Sequence, residues 1–180
     1  MSQALLIIDI QNDYFEGGTM ELVGSATATA QAGHLLRTFR QRGRPIFHVQ
    51  HLAARPEATF FLPGTPGAQI HHEVAPQGDE PIFQKHYPNS FRDTGLLAAL
   101  REQRIETLLV AGMMTHMCVD TTVRAAFDLG FSCTLAADAC ATRALDYGGV
   151  TVPAEQVQAA YLAALNAVFA KVLPVAEILP

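Results

Sequence analysis

The stretch TLLVAGMMTHMCVDTTVRAAFDL, residues 107–129, decides the fold class of this 180-residue chain. Its first six residues form a continuous apolar run, which is typical of a strand that is buried on both faces. Residues 116–129 then carry apolar side chains at helical spacing. A buried strand that passes directly into a helix is the repeating unit of a parallel sheet whose two faces are covered by helices.

The same alternation runs through the rest of the chain. The predicted strands are 4–9, 45–49, 81–85, 107–112 and 132–137, with a last short edge strand at 171–175, and the predicted helices are 25–42, 93–102, 116–129 and 153–169. Because parallel crossovers are right-handed, this order predicts an α/β fold: a single domain over residues 1–180 with a doubly wound, mostly parallel sheet of about six strands.

One segment, residues 50–80, interrupts the alternation. It is rich in proline and glycine and carries the apolar triplet Phe60–Leu62. Connections of this length are usually lids, binding loops or partner contacts. We expect the triplet to cover a pocket or to contact another subunit, because apolar side chains are seldom left in water as a group.

Composition excludes several classes of protein. Apolar residues make up 49% of the chain, which argues against disorder, and the net charge of −5 without a cluster of lysine and arginine argues against a nucleic-acid partner. Three cysteines without a CxxC pair indicate reduced thiols. No cationic leader and no run long enough to cross a bilayer are found, so a cytoplasmic location without membrane contact is expected.

Three polar residues lie where parallel strands end: Asp9, Lys85 and Cys118. Each alone has an ordinary explanation, as a turn residue, a solvated lysine and an inert core thiol. The fold, however, brings the carboxyl ends of the strands to one crevice, which is where ligands bind in such sheets. A thiol, a carboxylate and an ammonium group in one crevice are the parts needed for acyl transfer.

The expected roles follow from the position of each group. With Thr115 as the N-cap, Cys118 would lie in the first turn of a helix, where the helix dipole lowers the pKa of the thiol. Asp9 would act as general base, and Lys85 would orient the carboxylate and favour the thiolate. Backbone N–H groups at the turn, that of Cys118 among them, would receive the oxyanion. Cys133 and Cys140 are interpreted as packing thiols.

Three blocks of the sequence carry a resemblance to a known family. They are LLIIDIQNDYFEGG (5–18), FQKHYPNSFRDTGL (83–96) and LLVAGMMTHMCVDTTVRAAFDLGF (108–131). In their order and content they resemble the isochorismatase-like cysteine hydrolases, which include nicotinamidases, ureidoacrylate and carbamoylsarcosine amidohydrolases and isochorismatase. The resemblance covers nearly the whole chain.

The resemblance implies a catalytic triad of Asp9, Lys85 and Cys118. It also implies a cis peptide bond between Met113 and Met114, which aims the N–H of Met114, together with that of Cys118, at the oxyanion. Members of the family commonly form dimers or larger assemblies, so a homo-oligomer is expected.

Two departures from the family limit the choice of function. Nicotinamidases bind a metal through an Asp-x-His segment after the second strand, whereas FHVQHLAARPE (47–57) contains no aspartate. Neither His48 nor His51 reproduces that spacing, and adjacent His71 and His72 would point apart in an extended chain. We therefore expect no metal and no cofactor. Isochorismatase proper lacks the cysteine, so Cys118 favours amide chemistry.

Six further residues are candidates for lining a substrate pocket: Gln11, Phe15, His51, Phe60, Asn89 and His116. Asn89 has an ordinary alternative as a capping residue before a helix. The predicted function is a metal-independent cysteine amidohydrolase acting on a small carboxamide. Two alternatives remain open: hydrolysis of a non-amide substrate in the manner of isochorismatase, and a catalytically silent oligomeric binding or scaffold member. A GxGxxG dinucleotide-binding motif is missing after the first strand.

Overall fold

The computed structural model describes residues 2–179. Along them, strands and helices alternate as the apolar pattern predicts. The strands are β1 (Ser2–Ile8), β2 (Ile46–His51), β3 (Ile82–Lys85), β4 (Ile105–Met113), β5 (Ser132–Ala141), β6 (Leu145–Tyr147), β7 (Val150–Val152) and β8 (Lys171–Leu173). The α-helices are α1 (Ser25–Gln41), α2 (Leu96–Glu102), α3 (Asp120–Asp128), α4 (Ala154–Val168) and α5 (Val175–Ile178).

Six of these strands form one parallel sheet in the order β3-β2-β1-β4-β5-β8. The α/β class and the parallel sheet of six strands are therefore confirmed, and β8 is the edge strand expected near 171–175. The chain winds outward from β1 to β2 and β3, and then returns to place β4 on the other side of β1. The gap between β1 and β4 is thus the switch point, beyond whose carboxyl ends such sheets bind ligands.

Both faces of the sheet are buried, which explains the continuous apolar runs of the strands. Leu5 and Ile7 of β1 pack with Leu35 of α1 in one core cluster. Ile8 on the opposite face packs with Val123 of α3 in the other cluster. Successive residues of a strand point to opposite faces, so β1, which is covered on both sides, is apolar from Ala4 to Ile8, and the polar side chain of Asp9 comes directly after it ends.

A glycine allows β4 to approach β1 closely at the switch point. Gly112 pairs with Ile8 and has a φ of 149°, and a Cβ atom there would collide with the backbone oxygen of Ile8. Glycine is the residue that adopts this conformation without a steric penalty. The close approach lets the chain turn directly over the end of β1 when it leaves β4.

Several contacts fasten the segment 50–80 to the rest of the protein. Near its middle, the backbone N–H of Phe61 donates to Oδ2 of Asp13 at 2.6 Å. Near its end, Glu80 accepts from Nε of Arg40 at 2.7 Å and lies 2.9 Å from Nε2 of buried His48. The contact with Asp13 holds the middle of the segment near the carboxyl end of β1, and the contacts of Glu80 hold its end beside β2, just before β3 begins. Within the segment, Phe61 is buried, Phe60 is half-buried and Leu62 is exposed.

Several local features differ from the sequence-based expectations, among them a later start of α3, at Asp120, and a longer β5, which ends at Ala141. Helix α2 begins at Leu96, three residues later than predicted, and β6 and β7 form an antiparallel hairpin where no strand was predicted. Gly148 and Gly149 at its turn both have positive φ, and Gly-Gly between short β-prone runs is a recognised hairpin signal. Among residues 2–179, no helix has the length and apolar character needed to cross a membrane.

Candidate active site

The carboxyl ends of four neighbouring strands meet at one place on the sheet. In β1 and β4, Ile8 pairs with Gly112, and in β2 and β3, His51 pairs with Lys85. Asp9 directly follows β1 with a φ of 50°, a left-handed conformation that aspartate tolerates better than most residues. This register brings Asp9, His51 and Lys85 to the same edge as the turn that leaves β4.

Lys85 stands at the centre of this group. Its Nζ lies 2.6 Å from Oδ2 of Asp9 and 3.2 Å from Sγ of Cys118. Asp9 is 0% exposed and Lys85 is 1% exposed, so neither is the exposed turn residue or the solvated lysine of its ordinary explanation. Cys118 is buried, at 4% exposed, as a core thiol would be, but its sulfur contacts the ammonium of Lys85.

The charges of the group are set by burial and by contact. Burial by itself lowers the pKa of Lys85, but the Asp9 carboxylate raises it above its ordinary value. The Cys118 thiol behaves oppositely to the sequence-based expectation: burial raises its pKa, the Asp9 carboxylate raises it further, and Lys85 only partly offsets both. The resting state is an Asp9–Lys85 ion pair beside a protonated thiol.

The local backbone at Cys118 also differs from the prediction. Thr115–Val119 form a short π-helix before α3 begins, and Met114, not Thr115, occupies the N-cap position. The hydroxyl of Thr115 donates to the carbonyl of Ala141 at 3.2 Å instead of capping the helix. π-helical turns often occur at functional sites. The Met113–Met114 peptide bond is cis.

Asp9 has the properties of a proton acceptor. Both of its carboxylate oxygens are buried, and although Nζ of Lys85 is close, neither oxygen accepts a well-directed hydrogen bond. A carboxylate oxygen of Asp9 lies within 4.8 Å of the sulfur of Cys118. A buried carboxylate this close to the sulfur has the position that a general base for the thiol would need.

The raised pKa of Cys118 predicts slow alkylation of the resting protein. With iodoacetamide at pH 7, we expect Cys118 to label at least about tenfold more slowly than in the urea-unfolded chain, because each unit of raised pKa lowers the thiolate fraction about tenfold. The rate should rise as the pH increases above 9. Peptide mass mapping after timed quenching measures this.

Two buried thiols in the same protein provide the comparison. Burial raises the pKa of Cys133 to about 11 and that of Cys140 to about 12, so both should also label slowly at neutral pH. Labelling of Cys118 at pH 7 as fast as in the unfolded chain, with Cys133 and Cys140 still protected, would mean that its pKa is lowered, contrary to the geometry.

Of the six candidate pocket residues, His51 contacts the triad directly. Its Nδ1 lies 2.9 Å from Nζ of Lys85. Gln11 is fully buried, and its amide group bonds the backbone of His51 and the carbonyl of Ala68, so it serves to hold the 50–80 segment. Asn89 accepts the backbone N–H of Phe91 at 2.9 Å in a local turn, and it does not cap α2, whose N-cap is Gly95.

The other three candidates lie around this centre in different settings. Phe15 stacks on the ring of His71 at a centroid distance of 3.8 Å. Phe60 packs against Phe61 at 4.9 Å. His116, in the π-helical turn two residues before Cys118, is buried, and its Nδ1 lies 2.6 Å from the hydroxyl of Thr142.

Sequence reasoning did not single out Tyr14 and Arg143. Tyr14 is 1% exposed, and its pKa is raised first by burial and then by Cys118 and Asp9. Arg143 is exposed and acts in the opposite direction on the pKa of Tyr14. Its position follows from the pairing of Met113 with Ala141, two residues before it, which only the register of β4 against β5 in the folded chain reveals.

A set of possible metal-binding atoms coincides with the triad. Within residues 2–179, the grouping of three such ligands is Asp9, His51 and Cys118, with their atoms within 4.8 Å of one another. The ammonium of Lys85 contacts all three and thus occupies the position between them. These residues therefore do not fit a metal while Lys85 is charged.

The paired histidines also differ from expectation. The rings of His71 and His72 do not point apart but lie 4.3 Å apart between centroids, because the chain enters a short 3-10 turn at His72. The backbone N–H of Glu73 donates to Nδ1 of His71 at 3.4 Å, so His71 caps that turn.

Comparison with known proteins agrees with this architecture. The sequence matches the family model described as "Isochorismatase domain" over residues 3–177. It is 48% identical to the isochorismatase family protein YddQ of Bacillus subtilis, with 96% of each chain covered, and 30% identical to maleamate amidohydrolase of Pseudomonas putida, with 71% of this chain and 67% of the relative covered.

A solved structure extends the likeness to three dimensions. The crystal structure of an isochorismatase from Pseudomonas putida KT2440 superposes with a TM-score of 0.92 at 38% identity, covering 97% of this chain and 89% of that one. The family model and the superposed structure both cover nearly the whole chain. The chain therefore belongs to the isochorismatase family of hydrolases.

Proposed function

We propose that this protein is a metal-independent cysteine amidohydrolase that cleaves a small carboxamide through a thioester on Cys118. The observation that carries the proposal is the contact of one buried ammonium, that of Lys85, with both the Asp9 carboxylate and the Cys118 sulfur. A nucleophile, a base and a group that orients the base are thereby joined in one water-poor site. The amide chemistry named for the maleamate amidohydrolase relative supports the choice of C–N bond cleavage.

The first half of the reaction acylates the enzyme. The proton of the Cys118 thiol passes to Asp9 while the sulfur attacks the carbonyl carbon, so that a C–S bond forms and the carbonyl oxygen becomes an oxyanion. The backbone N–H groups of Met114 and Cys118 are the proposed donors to that oxyanion. The intermediate then collapses, the C–N bond breaks, and Asp9 gives its proton to the leaving nitrogen.

The second half regenerates the thiol. Water gives a proton to Asp9 as its oxygen attacks the thioester carbon, the C–S bond breaks, and Asp9 returns the proton to the sulfur. Lys85 is protonated in the resting site, where the Asp9 carboxylate raises its pKa, and it keeps that carboxylate aligned between the sulfur and the leaving group. A protonated resting thiol suits this cycle, because the base removes the proton only when a carbonyl is in place.

The test is a panel of small primary amides, with and without a second carboxylate, assayed for ammonia release. We expect one or more to be hydrolysed at a rate that a chelator leaves unchanged, because the ammonium of Lys85 stands where a cation would bind. Activity removed by chelation and restored by zinc would contradict the metal-independent mechanism. Hydrolysis of isochorismate without ammonia release from any amide would instead support the non-amide alternative.

A further inference from the structure

The contact between His51 and Lys85 has no part in the reaction described above. His51 is the last residue of β2 and Lys85 the last residue of β3, and the two are paired across the sheet. Nδ1 of His51 lies 2.9 Å from Nζ of Lys85. An ammonium group has three N–H donors and accepts no hydrogen bond. Asp9 at 2.6 Å, Cys118 at 3.2 Å and His51 are thus three neighbours for the three N–H donors of Lys85.

The chemistry of the contact determines which imidazole nitrogen carries the proton. Because the ammonium can only donate, Nδ1 must be the unprotonated nitrogen, and the ring proton is on Nε2. Burial, and then the charge of Lys85, lowers the pKa of His51 to about 4, while the Asp9 carboxylate acts in the opposite direction. The imidazole is therefore neutral at physiological pH, and its Nδ1 accepts a hydrogen bond from the ammonium of Lys85.

The backbone of His51 is held firmly, so the position of the imidazole is built into the fold. The amide of Gln11 accepts the backbone N–H of His51 at 2.7 Å and donates to its carbonyl at 2.8 Å. Gln11 is fully buried. On one side of the imidazole lies the ring of Phe61, at a centroid distance of 5.9 Å.

We propose that His51 is a positioning residue that fixes the rotation of the Lys85 ammonium. By accepting one N–H at Nδ1, the imidazole leaves the other two N–H groups for the ion pair with Asp9 and the hydrogen bond to Cys118. Without this acceptor the ammonium would turn about its Cε–Nζ bond, and an unsatisfied donor would compete for the Asp9 oxygens. The inference rests on the proposed function, since it gives Lys85 the task of aligning the base.

The contact also predicts a dependence of stability on pH. The charged or titratable groups that act on the imidazole are Lys85, Asp9, His86 and Arg55. The folded pKa of about 4 lies below the ordinary value of 6.5. The unfolded chain therefore binds more protons between these values, and the contribution of His51 to stability is lost as the pH falls through this window.

Two substitutions distinguish the effect of losing the hydrogen-bond acceptor from the effect of losing the aromatic ring. His51→Asn keeps an acceptor oxygen near the position of Nδ1, whereas His51→Phe keeps the ring and removes the acceptor. We expect His51→Phe to lower kcat about 10- to 100-fold, the size of effect seen when an outer partner that orients a reactive group is lost. The KM of His51→Phe should change far less than its kcat. His51→Asn should retain most of the wild-type kcat. Equal kcat in wild type and His51→Phe, or equal losses in both variants, would overturn the proposal.

A measurement on the wild-type protein tests the contact without any turnover. In ¹⁵N-labelled protein, NMR should show His51 with an unprotonated Nδ1 and a protonated Nε2 from pH 5 to pH 8. A proton on Nδ1 would overturn the proposal even if His51→Phe does not fold. Amide hydrolysis that proceeds in Cys118→Ala contradicts the proposed function, whereas the NMR result concerns only His51 and Lys85, so the two failures are distinguishable.

Discussion

Replacing Lys85 by methionine is expected to lower the free energy of unfolding by about 3–5 kcal/mol, because it leaves the Asp9 carboxylate buried without its cation. Asp9 and Lys85 are 0% and 1% exposed, so neither charge can be solvated in the folded protein. Methionine has nearly the length and volume of lysine, so little of the loss comes from packing. Urea denaturation at pH 7 measures the change.

The substitution Asp9→Asn and the variant that carries both changes complete a double-mutant cycle. Asp9→Asn is suited to the left-handed backbone at this position, which asparagine also tolerates, and it should cost a similar amount because it strands the ammonium. The variant that carries both changes should recover much of the loss, since no uncompensated charge is left buried. None of the three should hydrolyse an amide.

The chain offers a matched control for the loss of a lysine. Lys171, the other lysine of the sequence, is exposed at the beginning of the edge strand β8. Lys171→Met should change the free energy of unfolding by no more than about 0.5 kcal/mol. Costs below about 1 kcal/mol for both Lys85→Met and Asp9→Asn would contradict a buried ion pair. So would a double variant whose cost equals the sum of the two single costs.

The second large effect is the loss of turnover in Cys118→Ala. Removing the nucleophile of a covalent hydrolase lowers kcat by about 10⁶-fold, because the remaining groups cannot supply an equivalent route. The variant should fold, since alanine is smaller and leaves the Asp9–Lys85 pair intact. Ammonia release from the best amide of the panel measures the effect.

Two other cysteines serve as controls for this substitution. Cys133 and Cys140 are free and as deeply buried as Cys118, at 8% and 6% exposed. Cys133→Ala and Cys140→Ala should retain kcat, even if each loses some stability to a small cavity. Full activity in Cys118→Ala would contradict the covalent mechanism. A comparable loss of kcat in all three variants would show that disturbed packing, not the loss of a nucleophile, stops the reaction.

Much of the site could be predicted because it depends on topology. Asp9, Lys85 and Cys118 each stand at the carboxyl end of a strand, and a parallel sheet with a switch point between β1 and β4 brings those ends together. The strands themselves were readable because both faces are buried, which makes each one a continuous apolar run.

The rest depends on contacts that the sequence does not reveal. The raised pKa of Cys118 comes from burial and from Asp9, and its deep burial is a property of the folded chain around it, not of the sequence near the cysteine. The contact of His51 with Lys85 depends on the register of β2 against β3. The π-helical turn at Thr115–Val119 has no distinct residue pattern, since its side chains suit an α-helix as well.

The most direct test of the covalent mechanism is to trap the thioester. Wild-type protein is mixed with a stoichiometric amount of its best amide, quenched in acid within the first turnover, and analysed by intact mass and peptide mapping. We predict an added mass equal to the acyl group, located on the peptide that contains Cys118 and missing in Cys118→Ala. Release of ammonia within the first turnover with no adduct on Cys118 at any quench time, or an adduct on Cys133 or Cys140 instead, would contradict it.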